Sequence, residues 1–304
     1  MKSDAPRTRF DAPLADWFAA QGWKAAPFQR EAWRRWRRGE SGLLVTPTGS
    51  GKTLAALGGP LLDALAEAAR ASSAKPSFAR ASRASASTSR PTKTSKTLQP
   101  ASSPTAIPSA AGNRLPSAAR TSRSARNDRS ARTRLLWITP LRALASDTTR
   151  AIRTPLEALG LDWTVAMRTG DASSRDKRLA RQGRADVLVI TPESLALLLT
   201  YPDTAAQLAG LRGIVVDEWH ELLGNKRGVL LQLCLARLRD WAPQVRTWGL
   251  SATLGNLAQA RDVLLPHAPN AAILQAAKPR SLSLDTLLPE AGERFPWAGH
   301  IGLS

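Results

Sequence analysis

The chain is 304 residues long and 43% hydrophobic, which allows one large or two small domains with a real apolar core. Its net charge of +19 implies a polyanionic partner, nucleic acid or an anionic membrane surface, while the lack of any apolar run near the roughly 18–20 residues that span a bilayer excludes a transmembrane helix. A single cysteine, Cys234, excludes an internal disulfide and a cysteine-cluster metal centre; the opening "MKSDAPRTRFDAP" has no apolar signal segment, and the chain reads as soluble and cytoplasmic.

In chain order, "REAWRRWRRGE" sets Trp33 and Trp36 at helical spacing among Arg34, Arg35, Arg37 and Arg38. That pattern favours a helix with a packed tryptophan face and a solvated basic face over a nucleic-acid contact. A buried strand is expected at "SGLLVTP", then a helix at "KTLAALGGPLLDALAEAAR". Over 71–133 the composition shifts to Ala, Ser, Arg, Thr and Pro, with Phe78 as its one aromatic residue and twelve Lys/Arg against Asp128 alone. Such a segment buries too little surface to offset its ordering entropy, so it is expected to be a disordered basic insertion that interrupts one domain. It holds +11 of the net charge and leaves +8 elsewhere. Its arginines could touch phosphates, though a passive insertion is the simpler reading.

Beyond the insertion, strand signals at "RLLWITP", "WTVAMRTG", "ADVLVITP", "RGIVVDE", "VRTWGLSAT" and "NAAILQA" alternate with helical ones. The helices are expected at "RALASDTTRAIRTPLEALG", "SRDKRLARQG", "ESLALLLTY", "GVLLQLCLARLRDW" and "NLAQARDVLL". This alternation predicts an α/β fold, a mainly parallel sheet covered by helices on both faces, without giving the strand order. Trp137 and Trp248 fall inside apolar strands and are expected in the core, and Cys234 in its apolar helix reads as a buried structural thiol.

Between the first strand and its helix lies "TPTGSGKT", residues 46–53. Gly49 and Gly51 let the backbone turn tightly and point N–H groups at phosphate oxygens, and the helix starting near Lys52 adds its positive dipole end. Thr48, Gly49, Ser50, Gly51, Lys52 and Thr53 form the expected ATP-binding loop, with Lys52 reaching the β and γ phosphates and the Thr53 hydroxyl on Mg²⁺. The strict pattern places glycine where this chain has Thr46. Further on, "GIVVDEWHELLG" sets Asp217 and Glu218 at the carboxyl end of a strand, the edge where ligands bind in open α/β sheets. A phosphate-loop site needs an acid in the magnesium shell and another for the attacking water; Asp217 suits the first role and Glu218 the second. His220 either couples the site to a neighbouring element by a hydrogen bond or packs at a helix start.

The motifs "PFQREAW", "TPTGSGKT", "TPLRALASD", "RTGD", "TPESL", "DEWHELLGNKRG" and "GLSATLGN" stand in the order found in the N-terminal motor domain of superfamily 2 helicases. "DEWHE" followed by "KRG" most resembles the ligase-associated DEXH-box helicases of the Lhr-type group, and the resemblance covers roughly residues 10–276 apart from the insertion. It implies a single RecA-like P-loop NTPase domain over 1–304, with 277–304 a linker toward an absent second RecA-like domain. It implies that Gln29 reads the adenine edge and that Ser251 and Thr253 couple hydrolysis to domain movement. A single-strand track would be lined by Thr139, Pro140, Leu141, Arg142, Thr169, Gly170, Asp171, Thr191, Pro192 and Glu193. Turns after strands offer backbone N–H and hydroxyl groups to phosphates, which holds a strand without reading bases. Arg142 could instead cap or support a helix.

The resemblance thus implies an ATP-binding motor domain of an ATP-dependent DNA helicase. Its cofactors would be ATP and Mg²⁺, and its partner single-stranded DNA or RNA rather than a membrane. DNA repair is the implied setting, with a ligase or nuclease as further partners. Hydrolysis by this chain alone is expected to be very slow, because the arginines that stabilise the transferred phosphoryl group come in this family from a second domain, and no "QxxGRxGR"-type motif occurs here. The rival is a non-catalytic, ATP-responsive nucleic-acid-binding module; intact Lys52, Asp217 and Glu218 favour the enzyme.

Overall fold

The computed structural model describes residues 11–73 and 133–276, which form one seven-stranded sheet with helices on both faces. The strands are β1 (Gly42–Val45), β2 (Leu135–Ile138), β3 (Val165–Arg168), β4 (Val187–Ile190), β5 (Gly213–Val216), β6 (Arg246–Ser251) and β7 (Ala272–Gln275). The helices are α1 (Ala12–Ala20), α2 (Pro27–Arg37), α3 (Lys52–Ser73), α4 (Arg142–Ala158), α5 (Ser174–Arg181), α6 (Pro192–Leu198), α7 (Thr204–Leu208), α8 (Lys226–Trp241) and α9 (Leu257–Leu264). Each strand and helix expected from the sequence is present; α1, α7 and a 3₁₀ turn over Trp219–Glu221 are additional. Among the described residues no helix is long and apolar enough to cross a membrane.

All strand pairs are parallel, in the order β3-β4-β2-β5-β6-β1-β7. A right-handed crossover puts its helix on a face fixed by the direction of travel across the sheet. The steps β1 to β2 and β2 to β3 travel one way, and α3 and α4 share one apolar cluster with α1 and α2. The remaining steps travel the other way, and α5 to α9 share the opposite cluster. Strand side chains alternate accordingly: Leu135, Trp137, Val187, Val189 and Val215 face the first cluster, and Leu136, Ile138, Leu188, Ile190, Ile214 and Val216 the second. Burial on both faces is why these strands read as unbroken apolar runs.

Trp33 and Trp36 resolve as core residues, each almost wholly buried on α2. Their indole N–H groups donate to the Leu54 carbonyl at 3.1 Å and to Asp63 Oδ2 at 2.8 Å, both on α3. The rings lie against Gly58 and Gly59, and a β-carbon at either glycine would run into Trp33 or Trp36. The flanking cations are neutralised locally, Arg34 and Arg35 by Glu31 and Arg38 by Glu40 at 2.5 Å. Cys234 is buried as expected, and burial pushes its thiol pKa up to about 11.

The segment expected to be disordered, 71–133, lies outside the described residues over 74–132, as does the expected linker over 277–304. Its two ends depart from the expectation: α3 runs through Ser73, and Thr133 is buried ahead of β2. The alanine-rich sequence carries helix propensity past the break in composition. Glu67, a turn and a half earlier, also clamps the helix to the amino ends of β2 and β5 through Arg134 at 2.5 Å and Arg212.

Because α3 must come this close to α2, Gly59→Ala should destabilise the fold by about 1–3 kcal/mol although alanine is the better helix former. Thermal unfolding by circular dichroism measures this; an unchanged or higher midpoint would show that Trp36 yields without cost.

Candidate functional site

The loop after β1 takes the shape its glycines allow, with Gly49 at φ +76° and Gly51 at φ +89°. Ser50 closes the turn by donating its N–H to the Pro47 carbonyl and its hydroxyl to Thr46 Oγ1 at 2.7 Å. Thr46, where the strict pattern has glycine, is buried and hands its backbone N–H to the Ser251 carbonyl of β6 at 3.0 Å. Gln29 is buried beneath the loop: Oε1 accepts from the Ala26 N–H at 2.7 Å and Nε2 donates to the Gly51 carbonyl at 3.1 Å. Its amide therefore holds the phosphate loop against α2, and keeps one lone pair and one N–H for a further contact.

Across the sheet, Asp217 and Glu218 follow β5, two strands from β1. Asp217 accepts from the Trp137 indole at 3.2 Å and from the Glu218 N–H at 3.0 Å. Loss of solvation is the largest influence on its carboxyl and raises its pKa; the Trp137 bond opposes that shift. Glu218 is the one non-glycine among the described residues with positive φ, at φ 44° and ψ 51°. A left-handed conformation costs a residue with a β-carbon about 1–2 kcal/mol, and such strain clusters at functional sites. It turns Glu218 toward Lys52, whose Nζ lies 3.5 Å from Oε1 although the two residues are far apart in the chain. Lys52 is buried, and Glu218 Oε2 is a buried acceptor with no hydrogen-bond partner in the structure.

That oxygen lies 3.5 Å from His220 Nδ1, beyond a good hydrogen bond, and keeps acceptor capacity that a water could use. The Thr53 hydroxyl and Asp217 carboxylate are hard oxygen donors, and so small a protein set suits Mg²⁺, which keeps waters and substrate phosphates as its other ligands. No group of three or more His, Cys, Asp or Glu side chains placed to hold a metal ion occurs among the described residues.

His220 stands in the 3₁₀ turn, with Nδ1 3.1 Å from Ser251 Oγ on β6 and 3.5 Å from Glu218 Oε2. Ser251 is fully buried and its hydroxyl also reaches the Thr253 carbonyl at 3.1 Å, while the Thr253 residue itself is exposed. Ser251 thus touches the phosphate loop through its carbonyl and the turn after Glu218 through its hydroxyl. Trp219 anchors that turn from beneath, fully buried with Nε1 donating to the Ala260 carbonyl of α9 at 2.9 Å.

The three loops expected to line a strand follow β2, β4 and β3, which are neighbours in the sheet. Leu141, Arg142, Gly170, Asp171 and Glu193 are exposed there; Thr139, Pro140, Thr169, Thr191 and Pro192 are buried. The threonine hydroxyls expected to face phosphates are instead engaged within their own loops, Thr139 with the Leu141 carbonyl at 3.4 Å, Thr169 with Asp171 at 2.7 Å and Thr191 with Ser194 at 3.0 Å. The Thr169 bond holds the Asp171 carboxyl below its usual pKa. The Arg142 guanidinium lies over Gly170, joining the loops after β2 and β3. Arg227 joins those after β2 and β4: it donates to the Pro140 carbonyl at 2.6 Å and pairs with Glu193 at 2.5 Å, lowering that carboxyl's pKa. In the sequence the "KRG" that contains Arg227 carries no sign of this role, and Trp137 reads only as a core residue although its N–H reaches Asp217.

The DEAD/DEAH box helicase family matches residues 26–260. A Lhr helicase and probable uracil glycosylase of Mycolicibacterium smegmatis is 31% identical over 94% of this chain, which spans 16% of that relative. An ATP-dependent helicase Lhr-Core of Methanocaldococcus jannaschii is 30% identical over 51% of the chain and 19% of its own length. Among solved structures, the Mycobacterium smegmatis helicase Lhr bound to single-stranded DNA and AMP-PNP aligns with a TM-score of 0.59 and 27% identity, over 93% of this chain and 29% of that one. The chain spans less than a fifth of the length of the two curated relatives.

A carboxyl whose pKa is raised on folding binds its proton more readily in the folded state, so its contribution to stability falls as pH rises through that interval. Asp217→Asn removes the enclosed charge, and the nucleotide-free variant should unfold above wild type at pH 7, by roughly 2–4 °C for each kcal/mol relieved. The gap should narrow as acidification protonates wild-type Asp217. Scanning calorimetry across pH tests this; a gap that widens on acidification contradicts the assignment.

Proposed function

The chain belongs to the DEAD/DEAH box helicase family, and from that premise we propose that it is the ATP-binding motor domain of an ATP-dependent DNA helicase or translocase. The observation that carries the reading is the meeting of Lys52 and Glu218, whose buried Oε2 has no hydrogen bond, at the carboxyl edge of β1 and β5. In this reading residues 48–53 cradle the triphosphate with backbone N–H groups, and Lys52 turns from Glu218 to the β and γ phosphates. Thr53 and Asp217 hold Mg²⁺, which when bound neutralises charge on those phosphates. Glu218, released from Lys52, accepts the proton of the attacking water. The hydrogen bond between His220 and Ser251 transmits the state of that site to β6 and to Thr253.

Single-stranded DNA crosses the loops after β2, β4 and β3, held by backbone groups and Arg142. The Lhr structure with single-stranded DNA supports this choice of partner, and a setting in DNA repair is part of the same proposal. The transferred γ-phosphoryl group needs cationic stabilisation, which arginines of a facing lobe supply in two-lobed motors, so hydrolysis should be very slow wherever no such lobe is engaged.

Lys52→Ala should abolish binding of a fluorescent ATP analogue, whereas Glu218→Gln should bind it like wild type and, in any active assembly, lower turnover by about 10²–10⁴-fold, the usual weight of a general base. Equal nucleotide affinity in wild type and the Lys52 variant would defeat the assignment. Wild-type binding with no Mg²⁺-dependent phosphate release under any condition, single-stranded DNA included, would favour the non-catalytic module.

A further inference from the structure

Two stretches of this chain are strongly basic on a helix, and the structure treats them differently. On α2 and just after it, Arg34 and Arg35 pair with Glu31, and Arg38 with Glu40. On α5 and just after it, Arg175, Arg178 and Arg184 are exposed, and among the described residues none of their side chains has an ion-pair or hydrogen-bond partner. Arg181 is excluded from this group because it pairs with Asp203 at 3.1 Å and lies over the Tyr201 ring at 4.2 Å. The acids nearby do not neutralise the face: Asp171 is bonded to Thr169, and Asp176 sits in the first turn of α5, where the helix dipole favours a negative charge.

The position of α5 gives these cations a direction. It begins three residues after Asp171, is capped by Ser173, and is tied to the loop after β3 by Lys177, whose Nζ donates to the Gly170 carbonyl at 2.9 Å. From that loop the helix runs back along β3, the edge strand of the sheet. Arg175 and Arg178 stand three positions apart, on one side of the helix and about one turn along it.

We propose that the outward face of α5 is a phosphate-docking surface that continues the nucleic-acid path beyond the loop after β3. This rests on the reading that those loops hold a single strand, and it extends their contact by a non-specific backbone segment. Unpaired, exposed guanidinium groups gain most from a polyanion, because counterions released from the phosphates drive association and no internal ion pair has to be broken.

The test compares the full 304-residue chain with Arg175→Gln/Arg178→Gln/Arg184→Gln and with the charge-preserving lysine triple, using labelled oligodeoxythymidine of about 6 and about 20 nucleotides, which brackets the usual site sizes. By fluorescence anisotropy, the glutamine variant should bind the long oligonucleotide about tenfold more weakly, with the log–log salt slope shallower by about 2, as expected for three lost phosphate contacts. The short oligonucleotide should bind wild type and variant alike, the lysine variant should resemble wild type, and all three proteins should melt together. Identical affinity and slope for the long oligonucleotide would overturn the proposal. So would equal losses at both lengths, which would mean that the loop itself had been disturbed. Wild type that binds neither oligonucleotide would instead remove the strand-binding reading on which the proposal rests.

Discussion

The structure is organised around a carboxylate held away from water. Asp217 ends a strand buried on both faces, loses solvation there, and receives only the Trp137 indole N–H and the Glu218 backbone N–H in return. Neutralising it would require a cation, and Lys52 is already drawn to the neighbouring Glu218. A site that keeps two acids and one lysine close together, with one acid in a left-handed backbone conformation, stores electrostatic and conformational strain, which in the proposed function a metal-bound polyphosphate would relieve.

The strand order turns that local arrangement into a machine part. Because β6 lies between β5 and β1, its carboxyl end touches both halves of the nucleotide site, and buried Ser251 bonds to each of them. Because β2 lies next to β5 and beside β4, one tryptophan on β2 can reach Asp217 while the loop after the same strand is tied to Glu193 through Arg227. The half of the edge that holds Lys52, Asp217 and Glu218, β5-β6-β1, and the half proposed to bind a strand, β3-β4-β2, therefore meet at β2 and β5. In the proposed function, coupling between them would run through these hydrogen bonds and the rigid sheet.

The parts legible in the sequence are those that local chemistry dictates. Fully buried parallel strands must be apolar runs, a phosphate loop needs its glycines and lysine, and the acids after β5 announce the second half of the site. What escaped the sequence depends on packing between elements distant in the chain. The indole of Trp137 looks like any buried tryptophan until β2 is placed beside β5. The hydroxyls of Thr139, Thr169 and Thr191 look available until their own loops close on them. Likewise, the basic character of α2 and α5 reads alike in sequence, and only the glutamates beside α2 distinguish them. The ends of the 71–133 segment were misjudged because composition changes more gradually than the clamp formed by Glu67, Arg134 and Arg212.

The central claim is that Lys52, Thr53 and the two acids after β5 form one site for a magnesium-bound nucleoside triphosphate. The most direct measurement is the unfolding midpoint of the wild-type chain with Mg²⁺ alone, with ATP alone and with both. A ligand that binds only the folded state at about 100 times its dissociation constant adds about 2.7 kcal/mol of stability, so the pair together should raise the midpoint clearly further than either component alone. Absence of any shift at millimolar ATP and Mg²⁺, or a shift produced in full by Mg²⁺ without nucleotide, would contradict the account.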